Sequence, residues 1–548
     1  MRKQNLMKSS GLLTAMVLGA FLVPALPAFA DATPDCNANA GEATALECGV
    51  NAAATGVDAM AVGTDATATG NSTTAVGGES VATGPGATAI GWQSGANAER
   101  AQAFGHLAKA NGVRSLAVGE GAVADGLESI AQGNLASATG IDAVAIGTTA
   151  TANGNSTTAV GGESVATGPG ATAIGWQSGA NAERAQAFGH LAKANGIRSL
   201  AVGEGAVADG LESIAQGNLA SAMGIDAVAI GTTATANGNS TTAVGGESVA
   251  TGPGATAFGW QSGATAERAQ AFGHLAKANG IRSLAVGEGA VADGLESIAQ
   301  GNLASATGID AVAIGTTTVA NGNSTTAVGG EAVATGAGAT AFGWQSGATA
   351  ERAQAFGHLA KASGVRSTAI GEAATASADF ATALGNQASA GFANSVAIGN
   401  GATTTRANQV ALGTADNTYT LAGVNSAAST AAQSGPVGFV TTDQNGNIAA
   451  DYSLSSGLSA NANLIARNQQ DIQDNRAGIA AAFALDTAYV PVGKKFAING
   501  GYGFYDSESA IGASAGYRLN DAWQIDAGVA SGMNNGGTGG RVGFSAAW

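Results

Sequence analysis

The chain of 548 residues contains 85 glycines and 8 prolines, and only 5% of its residues are aromatic. A composition this poor in bulky side chains cannot fill a large conventional core, but it suits a thin and repetitive fold. The formal net charge of −16 and the absence of any run of Lys and Arg argue against nucleic acid as a partner.

Residues 1–30 are predicted to be a secretory signal peptide. The stretch begins with three cations, is apolar over 11–23 and ends on the small-residue cleavage pattern Ala28-Phe29-Ala30. No later stretch of about 18 apolar residues follows, so no transmembrane helix is expected. The pattern predicts export from the cytoplasm.

The two cysteines of the chain, Cys36 and Cys48, lie in the range 31–55, which we expect to form an N-terminal cap. An exported chain meets an oxidising compartment, which favours a Cys36–Cys48 disulfide. Pairing between chains and free thiols remain open alternatives. A metal site is disfavoured because no histidine lies nearby in the sequence.

A long repeat in the sequence contains a shorter one. The heptapeptide GNSTTAV recurs at 84-residue intervals, and Gly preceded by an apolar residue, or by Gln at 132, 216 and 300, recurs at every fourteenth position from Val62-Gly63 to Leu412-Gly413. Each short unit contains two alternating runs separated by Gly-rich turns. Periods this short predict a stacked solenoid. Residues 56–405 are therefore expected to form a parallel β-roll with one coil per unit.

The two faces of the predicted roll carry side chains of different sizes. Ala, Ser and Thr occupy the inward positions, whereas Leu116, Val118, Ile130, Val144 and Ile146 point outward. An apolar outer face of this extent must be buried against something. The simplest partner is another copy of the same chain.

Residues 406–425 are expected to form a neck, and residues 426–457 a connector with a strand pair around Asn445-Gly446. After these segments the spacing of the apolar residues becomes seven. Residues 458–482 are predicted to form a coiled-coil stalk, since aliphatic residues recur at a and asparagines at d. An isolated amphipathic helix is the alternative. Three asparagine amides could surround an ion or a water on a threefold axis. These positions are Leu458, Ile465, Ile472 and Ile479, with Asn461, Asn468 and Asn475.

The range 483–548 contains four runs of about ten residues in which apolar and small or polar residues alternate, the pattern of transmembrane β-strands. The last run includes Val542, Phe544 and Trp548. Four strands cannot close a barrel, and open sheet edges are not tolerated in lipid. Three chains would supply twelve strands and close one.

Over nearly its whole length the sequence resembles the trimeric autotransporter adhesins, the YadA-like family. The resemblance rests on residues 394–413 (NSVAIGNGATTTRANQVALG) and 478–529, in the order repeat, neck, heptad and anchor. It implies an all-β-dominated homotrimer. The parts would be a left-handed parallel β-roll head, a short trimeric coiled coil, and a twelve-strand outer-membrane barrel built from four strands per chain.

The resemblance also implies a Gram-negative outer-membrane location with the head exposed on the cell surface. The passenger would leave through the barrel pore, and outer-membrane lipid and the barrel-assembly machinery would be partners. Asn468 and Asn475 match the family's pattern and would hold an anion on the axis. The cysteine pair is not part of the usual motif.

Candidate ligand contacts in the head are Trp92, Trp176, Trp260 and Trp344, which recur in GWQSGA and would grip a glycan or protein or else pack a loop. The histidines of FGHLAKA, His106, His190, His274 and His358, are expected to be surface or interface residues. A metal or anion held by three copies around the axis is the less favoured alternative. No catalytic constellation, cofactor motif or metal motif stands out.

We therefore expect an adhesin rather than an enzyme, attaching to a host matrix or cell-surface receptor or to other cells. A structural or ice-binding solenoid is the alternative, weakened because threonines cluster at only one or two coils per block. A polysaccharide-processing solenoid enzyme would need clustered acidic or basic residues, and here they are scattered.

Overall fold

The computed structural model describes Cys36, residues 43–534 and residues 536–548. The predicted signal peptide, 1–30, lies outside these residues. The chain divides into two compact units, the first ending at Asn417 and the second beginning at Thr418.

The first unit is a stack of short coils, one for each short repeat of the sequence. In the described part of this unit, a three-residue strand begins at every fourteenth position, from Leu46–Cys48 to Val410–Leu412, and these 27 strands form the long-strand sheet. A two-residue strand recurs at the same interval from Ala53–Ala54 to Ser389–Ala390 and forms the short-strand sheet. Each strand pairs in parallel with its equivalent in the next coil, as Leu116 does with Ile130. The predicted parallel β-roll is confirmed.

The space between the two sheets is filled almost entirely by alanine. Ala117 and Ala131 of the long strands and Ala124 of a short strand are 0% exposed. Where a hydroxyl faces inward it can bond to the coil backbone, as Thr73 Oγ1 donates to the Gly70 carbonyl at 2.7 Å. The prediction that only small groups fit inside the coil is confirmed.

Each coil turns after its long strand through a residue in the left-handed region, such as Asp65 with φ 58°. Its N–H donates to the coil before it, from Asp65 N to the Val50 carbonyl oxygen at 2.8 Å. Because turns and strands use the same inter-coil spacing, almost every backbone group has a partner one coil away. Side chains at the same position in successive coils therefore stand in rows.

The stack begins within the range 31–55 that we expected to form an N-terminal cap. Leu46–Cys48 pairs in register with Met60–Val62 and so forms the first coil strand. Cys48 occupies the position of the apolar residue that precedes Gly in later coils. The structure joins Cys48 to Cys36 through a disulfide, with Cα atoms 4.2 Å apart.

The second unit begins with a short helix, Ala427–Ala432, whose N-terminus is capped by the Ser426 hydroxyl. An antiparallel hairpin follows, Phe439–Thr442 with Ile448–Asp451, around the turn expected near Asn445-Gly446. A helix of 32 residues, Ser453–Ala484, then covers and extends the predicted stalk. No helix in the described parts of the chain combines the length and apolarity needed to cross a membrane.

The chain ends in a four-strand antiparallel sheet in which each strand pairs with the next. The strands match the four alternating runs seen in the sequence. They are Phe496–Tyr505, Glu508–Arg518, Trp523–Gly532 and Thr538–Ala546.

Candidate functional site

One row of side chains on the head repeats a fixed order of residue types. It contains the residue directly after the glycine that follows each long strand, and we name it the edge row. Over one 84-residue block the order is Thr, Gly, Trp, His, Glu and Asn, given by Thr64, Gly78, Trp92, His106, Glu120 and Asn134. The coil stacking therefore places each candidate Trp directly beside a candidate His.

Trp and His rings stack in every block. The ring centroids of Trp92 and His106 lie 4.8 Å apart with an angle of 27° between the planes. The other three pairs have centroids 4.9 Å apart. The separation of Trp and His by one short repeat in the sequence already implied contact between neighbouring coils.

The far side of each histidine carries a carboxylate. His106 Nδ1 lies 3.4 Å from Glu120 Oε1, and Asn134 Nδ2 donates to the other oxygen of Glu120 at 3.2 Å. The side chains of His106 and Glu120 are 41% and 60% exposed. Stacking and hydrogen bonding thus connect four successive coils along the turn.

The near side of each tryptophan faces a glycine. A Cβ atom placed on Gly78 would lie 3.1 Å from Trp92 Cδ1, so the glycine allows the indole to approach the coil backbone. Beside this ring, Gln93 Nε2 donates to Glu79 Oε2 at 2.8 Å. Trp92 remains 48% exposed. The structure thus places an exposed aromatic ring next to an exposed carboxylate and an amide.

The outward residues of the long-strand sheet remain partly uncovered in the single chain. Phe258 and Phe342 are each 54% exposed, and Ile90 is 39% exposed. They lie in rows, since each long strand presents its first and third residues outward. This pattern agrees with the apolar outer face predicted from the sequence.

The long helix also carries its apolar stripe on its surface. Leu458, Ile465 and Ile472 are 57%, 59% and 50% exposed. Asn468 and Asn475 are exposed as well. The described chain alone brings no second amide against either asparagine, so an ion site here needs other copies of the helix.

The four-strand sheet has a strongly apolar face open to the outside. Ile498, Phe504, Val542 and Phe544 are 73%, 72%, 86% and 73% exposed. In a water-soluble sheet these side chains would be buried, but alternate apolar residues facing outward are typical of strands in a bilayer. This face is the lipid contact surface that the sequence predicts.

The opposite face of the sheet packs against the C-terminal end of the long helix. Ala480, Ala481 and Ala484 of the helix are buried there together with Ala510 and Ala530 of the sheet. Glycines line this contact because any side chain would collide with the helix or with the segment that follows it. A Cβ atom on Gly501 or Gly512 would overlap the Ala484 carbonyl oxygen. A Cβ atom on Gly503 would overlap that of Ala480, and one on Gly516 that of Ala488.

Buried polar groups on this inner face were not identified from the sequence. Arg518 is only 8% exposed, and its Nε donates to the Val490 carbonyl oxygen at 2.9 Å. Asp526 is 3% exposed, with its carboxylate 3.5 Å from Arg541 Nη2. The sequence signal that could have identified Arg518 and Asp526 is that they alternate with the lipid-facing residues along their strands. The inner face is therefore small and polar, in contrast to the apolar outer face.

Within the residues that the structure describes, no group of three or more His, Cys, Asp or Glu side chains could hold a metal ion. The functional features are instead a repetitive surface and a membrane-facing sheet in one chain. Together they define a class of protein, a surface-displayed solenoid with a C-terminal membrane anchor.

Comparison with known families agrees with this division. The YadA-like membrane anchor domain matches residues 488–548. The YadA head domain repeat matches 54–80, 82–108, 110–136, 138–164, 166–192, 194–220, 222–248, 250–276, 264–290, 278–304, 292–318, 306–332, 320–346, 334–360, 362–388 and 393–415. The chain belongs to the YadA-like trimeric autotransporter adhesins, with an outer-membrane anchor and an exposed head.

Among solved structures, the chain is similar to the collagen-binding domain of the Yersinia adhesin YadA. The identity is 22%, and the match covers 31% of this chain and 80% of that chain with a TM-score of 0.21. At that score the likeness adds nothing to the family assignment. No curated protein matches the chain.

Proposed function

We propose that three copies of this chain form a homotrimer in the Gram-negative outer membrane. Its head attaches the cell to a host matrix or cell-surface receptor, or to other cells. The observation that carries the proposal is the presence of head and anchor in one chain whose three regions each leave apolar groups uncovered. These regions are the long-strand sheet, the long helix and the four-strand sheet.

Three copies close the sheet of the anchor into a barrel. Phe496–Tyr505 and Thr538–Ala546 are the outer strands of the sheet, and each has one edge without a neighbouring strand in the described chain. Lipid offers no hydrogen bonds to such an edge. Joining the sheets of three chains edge to edge gives a closed ring of twelve strands and places three long helices inside it.

In this assembly the barrel-assembly machinery inserts the anchor, lipid covers the apolar face, and the passenger leaves through the pore. The helices meet at the axis along the stripe of Leu458, Ile465 and Ile472. Asn468 and Asn475 then form two layers of three amides each. Their N–H groups point at a shared centre, which suits a small anion.

Attachment uses the edge row, with Trp92, Trp176, Trp260 and Trp344 as contact residues. Four copies on each of three chains multiply a weak interaction, because linked sites gain avidity without new contacts. The head acts by binding and not by catalysis. A screen for degradation of polysaccharides, in which we expect no products, tests that statement.

Deletion of residues 480–548 tests the display. Cells producing the shortened chain should carry no head accessible to external antibody or protease, whereas deletion of one 84-residue block, 154–237, should leave display intact and lower adhesion only partly. Flow cytometry and binding to collagen, fibronectin, host cells and sister cells provide the measurements. Surface exposure of the chain without its tail would contradict the proposal.

A solenoid that binds ice is the second candidate. An exposed row beginning at Thr55, Thr69 and Thr83 continues through every coil with Thr, Asn, Asp or Ser at most positions. Asn97, Asn111 and Asp125 of this row hydrogen-bond to one another at 2.7 Å, which interrupts the ladder of threonines. Thermal hysteresis of the purified protein at the level of its buffer would exclude this function.

A further inference from the structure

We infer that each edge-row tryptophan forms one wall of a slot that binds a neutral hexose ring. A chain would carry four such slots, at Trp92, Trp176, Trp260 and Trp344. The inference rests on the proposed adhesin function and names the chemical class of its ligand, a polysaccharide or surface glycan without charged groups.

The slot exists because glycine leaves one coil without an edge-row side chain. His106 covers one face of the Trp92 ring, and the other face points toward Gly78. The next edge-row side chain beyond Gly78 is Thr64, which is exposed and two coils from the tryptophan. Two coils span about 9.6 Å. The indole already fills the inner part of this gap over Gly78, so the inferred sugar ring occupies the outer part, against the exposed portion of Trp92.

Polar groups stand at one side of the slot. Glu79 directly follows Gly78 in the chain, and its carboxylate accepts a hydrogen bond from Gln93 Nε2 at 2.8 Å. A carboxylate accepts further hydrogen bonds, and an amide both donates and accepts. An indole face beside acceptors and an amide matches a ligand with C–H groups on one face and hydroxyls at its rim, which describes a hexopyranose.

Charge selects among sugars. Glu79 and Glu120 lie on either side of the Trp92–His106 pair, so the surroundings of the slot are acidic. The arginines Arg100 and Arg114 belong to the other turn of the coil, which follows the short strand. Sulfated or carboxylated polysaccharides are therefore repelled from the slot, and neutral ones are not.

The same slot recurs in each block with little variation. Thr148, Gly162, Trp176 and Gln177 repeat the first set, and the hydrogen bond from Gln177 to Glu163 is 2.7 Å long. One 84-residue block is six coils, which span about 29 Å. Four slots in line on one edge suit a long polymer or a densely glycosylated surface, where repeated weak contacts combine.

The test uses full-length protein purified in detergent and the neutral probes cellohexaose, maltohexaose and mannohexaose. Heparin is the anionic probe. We expect at least one neutral hexasaccharide to quench tryptophan fluorescence and bind in calorimetry, and heparin not to compete. A variant with Ala at Trp92, Trp176, Trp260 and Trp344 should bind at least about tenfold more weakly, the scale expected when a central aromatic contact is removed.

A variant with Ala at Leu135, Leu219 and Leu303 is the matched control. These leucines are 57%, 57% and 55% exposed. They lie on the same side of the roll as the tryptophans but in coils outside the slots, and binding should not change. A variant with Ala at Gln93, Gln177, Gln261 and Gln345 leaves every indole in place and should also weaken binding. Cross-linking checks that all variants keep the oligomeric state of the parent.

Failure of all three neutral sugars to bind, or equal binding by the parent and the tryptophan variant, would overturn the slot assignment. Competition by heparin at the same site would also overturn it. Cell adhesion and surface display are measured in parallel. Adhesion that persists without sugar binding rejects the slot and keeps the adhesin, whereas loss of display in the parent would reject the adhesin itself.

Discussion

The head and the anchor bury their apolar groups in opposite ways. In the head, the residues between the two sheets are completed by the chain itself, and Ala117, Ala124 and Ala131 are all 0% exposed. In the anchor, the larger apolar side chains face away from the chain, with Ile498 and Val542 73% and 86% exposed. The head completes its interior within one chain and leaves only its outer rows for further copies, whereas the anchor requires both lipid and further copies.

The difference reflects how far apart in the sequence the contacting residues lie. Each coil contacts the coils directly before and after it in the chain, so the head can form coil by coil from local contacts. In the anchor, the helix that contains Ala480 and Ala484 packs against a sheet whose last strand ends at Ala546, more than sixty residues later in the chain. In the head, contacts repeated between neighbouring coils make a core of alanine sufficient for folding. In the anchor, packing depends on close approach between the helix backbone and the sheet backbone.

The sharpest test of this comparison is a side chain placed in the anchor's helix contact. Gly503→Val should abolish surface display, because its Cβ atom would overlap the Ala480 carbonyl oxygen. A backbone carbonyl, unlike a flexible side chain, cannot move aside to relieve the overlap. The expected cost is at or above about 3 kcal/mol, the upper end for overpacking. Quantitative flow cytometry with external antibody measures display.

Gly539→Val is the matched control. Gly539 lies in the last strand of the same sheet, and a Cβ atom there would have no heavy atom within 4 Å. Display of this variant should equal that of the parent chain. Equal loss in both variants would show that glycine is needed for strand formation in general and not for approach of the helix.

In the head, overpacking should have a smaller and strictly local effect. Ala201→Leu adds bulk between the sheets, where Ala201 is 0% exposed and pairs with Ala187 and Ala215. The local cost should be about 1–3 kcal/mol. Hydrogen exchange should increase in residues 186–216 and stay unchanged in residues 354–384, because coils contact only their neighbours.

Val207→Leu, an outward position in the short-strand sheet, is the control for this substitution. It should leave exchange unchanged in both segments. Increased exchange over the whole head after Ala201→Leu would contradict coil-by-coil stability and indicate that the head unfolds as one cooperative unit.

Much of the head could be predicted because its period is visible in the sequence. The short repeat specified both sheets, the small interior and the apolar outer rows. The stack begins earlier than the expected boundary at residue 56, at Leu46, where Cys48 stands in place of the usual apolar residue before Gly49. The spacing of Trp92, His106 and Glu120 also implied the edge row, but it becomes evident only when the coils are stacked.

The inner contact of the anchor could not be predicted in the same way. The four strands follow from alternation, but the glycines at 501, 503, 512 and 516 acquire their meaning only when the helix is known to return against the sheet. Arg518 and Asp526 likewise read as ordinary polar positions. The extra turn of the long helix before residue 458 lies outside the heptad pattern, so its start at Ser453 was also missed.

The long helix follows a visible sequence period, as the head does, but leaves its apolar stripe uncovered, as the anchor does. Here a substitution is expected to stabilise the assembly. Asn468→Ile with Asn475→Ile should stabilise the trimer, because asparagine at d positions weakens a coiled-coil seam while it specifies register. The gain should be about 1 kcal/mol for each substituted layer. Thermal dissociation in chloride buffer and in chloride-free buffer should differ for the parent and coincide for the variant.

Asn463→Ile, at an outward position of the same helix, should leave both the stability and its dependence on chloride unchanged. A double variant at Asn468 and Asn475 that is less stable than the parent would show that the amide layers contribute more than an apolar seam could. A parent protein that is indifferent to chloride would contradict an anion site.

The smallest expected effect lies at the start of the long helix, where Asp451 acts as its cap. Its carboxylate accepts hydrogen bonds from the Ser453 hydroxyl at 2.6 Å and from the Ser453 and Leu454 backbone N–H groups at 2.7 and 3.4 Å. These bonds, the Ser453 hydroxyl first, lower the pKa of Asp451 below its ordinary value, although burial of the carboxylate slightly opposes them.

A lowered pKa means that the carboxylate stabilises the folded state above its unfolded pKa, and that the contribution disappears as the pH falls through the folded pKa. Asp451→Ala should therefore lower the midpoint of thermal dissociation slightly at pH 7, and this difference should shrink at about pH 2, where the pH has fallen below the ordinary range of aspartate and towards the lowered folded pKa. Asp471→Ala, in the middle of the same helix, controls for the loss of one charge. An equal difference between parent and Asp451→Ala at both pH values would show that packing at residue 451, and not its charge, supports the helix end.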